Sequence, residues 1–327
     1  MKYNVSGIHH ITACAGGAQQ DIDFFTEILG LRMVKQTVLM DGSIPIYHLY
    51  YANKKAEPGS VMTTFPYGQK KGRQGSGQIR ATAYSVPKGA LPFWKEHFDK
   101  HKISHEGIQE RFGQKFIRFQ HPAGLAFEVL EDASDTREGW TTDEIGKGEA
   151  VHGFYGTVLS MREVAESESF FKEALGFRKT GQEGSYHRFE VGAGGPGKTL
   201  ILNEEPDRKA GSWGFGAGTV HHVALAVESH KELEEQKAIY EELGYTDASD
   251  IKDRYYFYSM YVRSPGGILV ECACSQAGGF FRDEDEAHLG SKLHLPPWWE
   301  HRTEEMLKQL EPIQAPEYTR AAVGQST

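Results

Sequence analysis

A weak internal repeat limits this chain more than any other feature. The segment Phe24-Phe25-Thr26-Glu27-Ile28-Leu29-Gly30-Leu31-Arg32 returns as Phe170-Phe171-Lys172-Glu173-Ala174-Leu175-Gly176-Phe177-Arg178. Each copy reads as a helix with an apolar face and a glycine past its C-terminus, following a strand. A second shared element is a hairpin: Phe116–Phe119, then Pro122-Ala123-Gly124, then Leu125-Ala126-Phe127-Glu128. It recurs as Tyr261-Val262-Arg263, Pro265-Gly266-Gly267 and Ile268-Leu269-Val270-Glu271. A strand and a helix precede each hairpin, at Ala81–Val86 with Phe93–His101 and at His222–Val227 with Lys231–Leu243. The spacing predicts four βαβββ modules of about 50–60 residues, at 5–67, 76–132, 151–206 and 217–275. One module leaves a sheet face open and cannot bury it alone. Paired modules close into an open eight-stranded cup, so the fold class is α+β with two cups.

The domains follow as 1–150 (modules one and two), 151–312 (modules three and four) and a tail, 313–327. Gly68–Gly77 and the acidic stretch Asp132–Glu149 read as linkers. A length of 327 residues suits two domains. The net charge of −9 disfavours a nucleic-acid surface, and no apolar run is long enough to span a membrane. Cys272 and Cys274, two apart on one strand, point to the same face and are poorly placed to bridge, so with Cys14 they imply a reducing, cytoplasmic setting.

Two His-His pairs open strands, His9-His10 in module one and His221-His222 in module four. A lone strand histidine is more often a hydrogen-bonded core residue. Registering the modules changes that reading. The strand-start position is His10, Ala81, Gly156 and His222 in modules one to four, and the strand-end position is Thr63, Glu128, Ile201 and Glu271. Modules one and four together supply two imidazoles and one carboxylate. Modules two and three offer a single Glu128, expected to be structural or to pair with a basic residue. One metal site per chain is therefore expected, held by His10, His222 and Glu271. A 2-His-1-carboxylate set leaves positions open for substrate and dioxygen and favours Fe(II), with Mn(II) the lesser alternative. Within each pair, one ring enters the cup and the other lies beside it or points elsewhere. The remaining histidines, among them His48, His97 and His101, show no ligand spacing.

With His-His-Ile-Thr, His-His-Val-Ala and Gly-Gly-Ile-Leu-Val-Glu in paired modules, the chain resembles the vicinal oxygen chelate superfamily (glyoxalase, bleomycin resistance, extradiol dioxygenase). Longer stretches resemble its hydroquinone-type ring-cleaving dioxygenases: Asp41–Tyr50, Val61–Pro66, Arg111–Gln114, Phe127–Asp132 and Glu205–Arg208. The resemblance covers residues 5 to about 290 and implies iron held by His10, His222 and Glu271. It also implies supporting positions at His9, Thr12, His221, Arg254 and Tyr261. The implied activity is cleavage of a 1,4-dihydroxybenzene ring beside a hydroxyl-bearing carbon, incorporating both atoms of dioxygen. Breaking the O–O bond needs a nearby proton donor, a role suited to His9, His221 or Tyr261. Arg254 would stabilise an oxyanion or orient Tyr261. The expected partners are a small aromatic substrate and dioxygen, with no nucleic acid or membrane; homo-oligomerisation stays open. The alternatives are an extradiol catechol dioxygenase, a glyoxalase-like metalloenzyme, or a non-catalytic aromatic-binding resistance protein. Thr63 in place of a fourth ligand argues against the glyoxalase, and the intact triad against the non-catalytic binder.

Overall fold

The computed structural model describes residues 3–39 and 45–316. The resemblance at Asp41–Ile44 and the tail from residue 317 onward lie outside the described residues. Module one contains β1 (Gly7–Ala15), α1 (Ala18–Asp23, continuing as a π-helical turn Phe24–Ile28), β2 (Arg32–Val38), β3 (Tyr47–Ala52) and β4 (Val61–Pro66). Module two contains β5 (Gln78–Val86), α2 (Leu91–Lys100), β6 (His105–Arg111), β7 (Gln114–Gln120) and β8 (Ala126–Glu131). Module three contains β9 (Gly153–Met161), α3 (Ala165–Ser169, with a π-helical turn Phe170–Ala174), β10 (Arg178–Glu183), β11 (Tyr186–Glu190) and β12 (Thr199–Glu204). Module four contains β13 (Thr219–Ala226), α4 (His230–Glu242), β14 (Lys252–Asp253), β15 (Phe257–Arg263) and β16 (Leu269–Ser275). The repeated Phe-Phe segments carry the π-helical turns. The glycine that follows each, Gly30 and Gly176, sits at positive φ (61° and 75°), where a side chain would be strained.

The strands form two eight-stranded sheets. One has the order β14-β15-β16-β13-β1-β4-β3-β2 and the other β10-β11-β12-β9-β5-β8-β7-β6. Each sheet therefore joins one module from either half of the chain, one with four and two with three. In both, the opening strands of the two modules meet antiparallel at the centre, and each pairs in parallel with the last strand of its own module. A parallel pair needs a crossover, which the helix and hairpin supply. One face of each sheet packs on the helices. Ile11, Val223, Leu225, Val270 and Cys272 belong to that core, together with Phe24, Phe25, Phe170 and Tyr240. The Cys272 thiol meets the Tyr240 hydroxyl at 3.2 Å on this side, and all three cysteines are buried and unbridged. Among the described residues no helix is long and apolar enough to cross a membrane.

The two concave faces differ. The cup of modules two and three is filled by its own side chains. Glu128, fully buried, lies between Arg111 (Nη2–Oε2 2.7 Å) and Arg118 (Nη2–Oε1 2.6 Å), as the module comparison anticipated. Burial alone would raise its pKa, but the two guanidiniums outweigh burial and hold it below the usual carboxylate range. In the cup of modules one and four, the segment after β16 folds back and inserts Phe280 and Leu289 against Val34 and Tyr50. Buried Lys35 pins this segment through Asp283 (2.7 Å) and Glu284. The sequence reading gave this return segment no role.

Removing one member of a buried ion cluster leaves the others uncompensated. Glu128→Ala is expected to lower unfolding stability by about 3–5 kcal/mol, read as a drop in the denaturant midpoint. An unchanged midpoint would mean that the cluster contributes nothing to stability.

Candidate metal centre and active site

Two β-bulges shape the centre of the module one–four sheet. Between β1 and β13 the register runs Ile8↔Leu225 then His10↔Ala224, and Thr12↔His222 then Ala13↔Val220. His9 and His221 are thus the extra residues of the two bulges. A bulge breaks strict alternation and re-aims its side chain. The consequence is direct: His9 lies beside His10 instead of behind the sheet, with Nδ1···Nδ1 2.9 Å, and His221 lies beside His222 at 2.7 Å. The other sheet is bulged at the corresponding places, Arg80 and Tyr155.

Register places the remaining groups. One row across the sheet reads His10, Ala224, Glu271, Tyr261, and its pseudo-symmetric mate reads His222, Thr12, Thr63, Tyr50. Ala224, between His10 and Glu271, is small enough to leave room above the strand. Into that room His222 projects from the adjacent row. The three side chains converge: His222 Nε2 is 2.9 Å from Glu271 Oε2, His10 Nε2 is 3.6 Å from it, and the two Nε2 atoms are 3.3 Å apart. All three residues are buried, and among the described residues neither Glu271 oxygen has a hydrogen-bond partner. The equivalent rows of the other cup carry Gly156, Ala83, Glu128, Arg118 and Ala81, Val158, Ile201, Arg188, which hold no such set.

Burial keeps the imidazoles neutral. It pushes His9 down to about 4, His221 and His222 to about 3, and His10 well below its ordinary value. If the His10 Nε2 lone pair is given to a metal ion, the neutral ring carries its proton on Nδ1 and donates it to His9 Nδ1. His9 must then be protonated on Nε2, which lies 3.0 Å from Ser275 Oγ, a hydroxyl able to accept. The same logic puts a proton on His221 Nε2. Two neutral imidazole nitrogens and an orphaned carboxylate are the donor set a divalent transition metal requires, and a cation would relieve the buried Glu271 charge. The partner that orients each donor ring is thus in place.

Beside the triad lies a cavity of about 210 Å³, below the roughly 300–1,000 Å³ of pockets for drug-sized ligands and suited to a single ring. Phe65 and Phe215 wall it, the latter stacked on His221 (centroids 4.5 Å apart, 13° between planes). Tyr261 lines the cavity, paired across strands with Glu271. Burial and the nearby Glu271 charge raise its pKa, so its hydroxyl keeps its proton. Arg254 also lines it, with its guanidinium 5.8 Å from the Tyr261 ring centroid. All eight expected site residues therefore gather at or beside one cavity, with His9 behind His10.

The sequence leaves His48 open to a surface or a supporting role, and the structure gives it the supporting one. Its ring sits in the cavity wall, with Nε2 2.9 Å from Thr63 Oγ1 and Nδ1 2.9 Å from Tyr50 OH, and Thr63 Oγ1 is 2.8 Å from Thr12 Oγ1. The signal was available: His48 and Tyr50 alternate onto one face of a strand that registers against Thr63.

A concave half-barrel of paired βαβββ modules thus brings two histidines and a glutamate, a set that could hold a metal ion, beside a cavity open to small ligands. The family model described as Glyoxalase/Bleomycin resistance protein/Dioxygenase superfamily matches residues 153–272. Over 317 residues the chain is 40% identical to the chlorohydroquinone/hydroquinone 1,2-dioxygenase of Sphingobium indicum, covering 95% of this chain and 97% of the relative. It is 38% identical to MhqO of Bacillus subtilis, a protein named as a ring-cleaving dioxygenase, covering 93% and 96%. A crystal structure of a Bacillus subtilis protein described as a dioxygenase superposes with a TM-score of 0.90 at 34% identity, covering 96% and 99%. The chain belongs to the Glyoxalase/Bleomycin resistance protein/Dioxygenase superfamily and, within it, to the ring-cleaving dioxygenases.

The Thr12–Thr63–His48–Tyr50 chain leads to a prediction. Thr63→Val keeps the shape but leaves the buried Thr12 hydroxyl and the His48 nitrogen without partners. A stability loss of about 1–3 kcal/mol is expected in denaturant titration. No loss would show that these contacts are replaceable by water.

Proposed function

We propose that this chain is an Fe(II)-dependent dioxygenase that opens hydroquinone-type rings. The observation that carries the reading is the convergence of His10 Nε2, His222 Nε2 and Glu271 Oε2 beside a one-ring cavity, with Tyr261 paired opposite Glu271. The name of the Sphingobium relative supports the substrate class. Iron held by these three donors would supply one-electron chemistry toward dioxygen and bind a phenolic oxygen. Cleavage breaks the ring bond between a hydroxyl-bearing carbon and its neighbour. The first becomes a carboxylic acid and the second an aldehyde, so the product gains both oxygen atoms and loses none.

The protein's own groups do the remaining work. Phe65 and Phe215 hold the ring by apolar contact and keep water out. The His9–Ser275 and His221 contacts fix the tautomers of the two donor rings. Tyr261 and His221 each present a proton to the cavity, at Oη and Nε2, where one is needed as the O–O bond breaks. Arg254 places positive charge beside the oxygen that becomes anionic. Thr12, tied to Thr63, shapes the wall next to His222. The three buried, unbridged cysteines suit a reducing compartment such as the cytoplasm.

Two measurements test this reading. Iron content after anaerobic loading should fall from about one per chain to near zero in His10→Ala, His222→Ala and Glu271→Ala, each checked for folding. Wild-type-like iron in any of them would remove that residue from the ligand set. Tyr261→Phe should retain iron yet slow oxygen consumption on hydroquinone by about 100- to 10,000-fold. Near-normal turnover would leave His221 as the proton donor.

A further inference from the structure

We propose that His97, His101 and Glu144 form a second divalent-metal site, of the Zn(II) type, clamping α2 to the segment that links modules two and three. It shares no residue with the cup and does not depend on the reading of the active site.

His97 and His101 lie four residues apart, from the last turn of α2 to the residue that ends it, and so fall on one face of the helix, with ring centroids 4.5 Å apart. This corrects the sequence reading that the outlying histidines show no ligand spacing. His97 is only 4% exposed, and its Nε2 lies 3.0 Å from the carbonyl oxygen of Ile28. A carbonyl can only accept, so the proton sits on Nε2, and in the neutral ring Nδ1 carries a bare lone pair. Burial, the largest influence on this ring, lowers its pKa and favours that neutral form. The lone pair faces Glu144 Oε2 at 3.7 Å. Lys100 and His101 already hold the Glu144 carboxylate down to about 2, and a cation at Oε2 would bring the bare His97 Nδ1 into the same cluster.

His101 completes the set, its Nε2 2.8 Å from the same Glu144 oxygen. Lys100 occupies the other carboxylate oxygen at 2.7 Å, so only Oε2 is available, as a single donor. All three donor atoms lie within 4.8 Å of one another. Donors at about 2.0–2.1 Å around a tetrahedral ion stand about 3.4 Å apart. The observed 2.8 and 3.7 Å bracket that value. An open cavity that Thr142 and Asp143 help to line adjoins His101 and Glu144, leaving room for water as a fourth ligand. Two imidazoles, one carboxylate and a water suit Zn(II). Bound there, the ion would tie together three segments: module one through Ile28, α2 of module two, and the linker before module three.

The test uses the untagged, full-length, metal-free chain dialysed against Zn(II), with protein-bound zinc counted. His101→Ala and Glu144→Ala, whose side chains are partly exposed and whose loss should be tolerated by the fold, should each bind one zinc fewer than wild type. Zinc should also raise the melting temperature of wild type more than that of either variant. The same zinc count in wild type and both variants would overturn the site and leave the cluster an ion pair only.

Discussion

The antiparallel seam between β1 and β13 is the contact on which the rest depends. It joins strands more than two hundred residues apart, and its two bulges fall on His9 and His221. Without the seam, His10 stays in one module and His222 with Glu271 in another, and no site exists. Without the bulges, strict alternation would send His9 and His221 through to the helix side. The backbone irregularity thus gives each inward imidazole a neighbour that orients it.

The two cups show how one architecture serves different ends. Each places a glutamate near the start of a module's last strand, at the second register pair of the parallel ladder and not at the strand end that the sequence suggests. In one cup, Arg111 and Arg118 neutralise Glu128, and aromatic side chains fill the space. In the other, Glu271 is equally buried, with no hydrogen-bond partner among the described residues, facing two neutral imidazoles. A buried carboxylate without compensation is costly, and a metal ion is the compensation this donor set fits. The Lys35–Asp283–Glu284 contacts fasten the return segment over the same cup, beside the small cavity at the triad.

Much of this was legible in the sequence, for a physical reason. Four modules with a shared register make position within the module equivalent to position in the cup, and so the sequence alone points to His10, His222 and Glu271, which the structure brings together. The pairing of module one with four followed from which modules carry the ligand types. The bulges were not legible, because an extra residue in one strand depends on the partner strand and not on local propensity. The return segment and the His48–Thr63 contact were also hidden. Both depend on which loops and strand faces meet across the cup, and no repeat marks them. The His97–Glu144 approach joins a helix to a linker that reads only as acidic loop.

On the proposed function, the cup of modules one and four opens a hydroquinone ring with both atoms of dioxygen. Anaerobic loading with Fe(II), addition of hydroquinone and isotopically heavy dioxygen, and mass analysis of the product test it in one step. The account predicts an open-chain acid aldehyde carrying two heavy oxygen atoms, less any lost from the aldehyde by exchange with water, and no such product from Glu271→Ala. An unchanged ring, or oxidation of hydroquinone to quinone with no heavy oxygen incorporated, would contradict it.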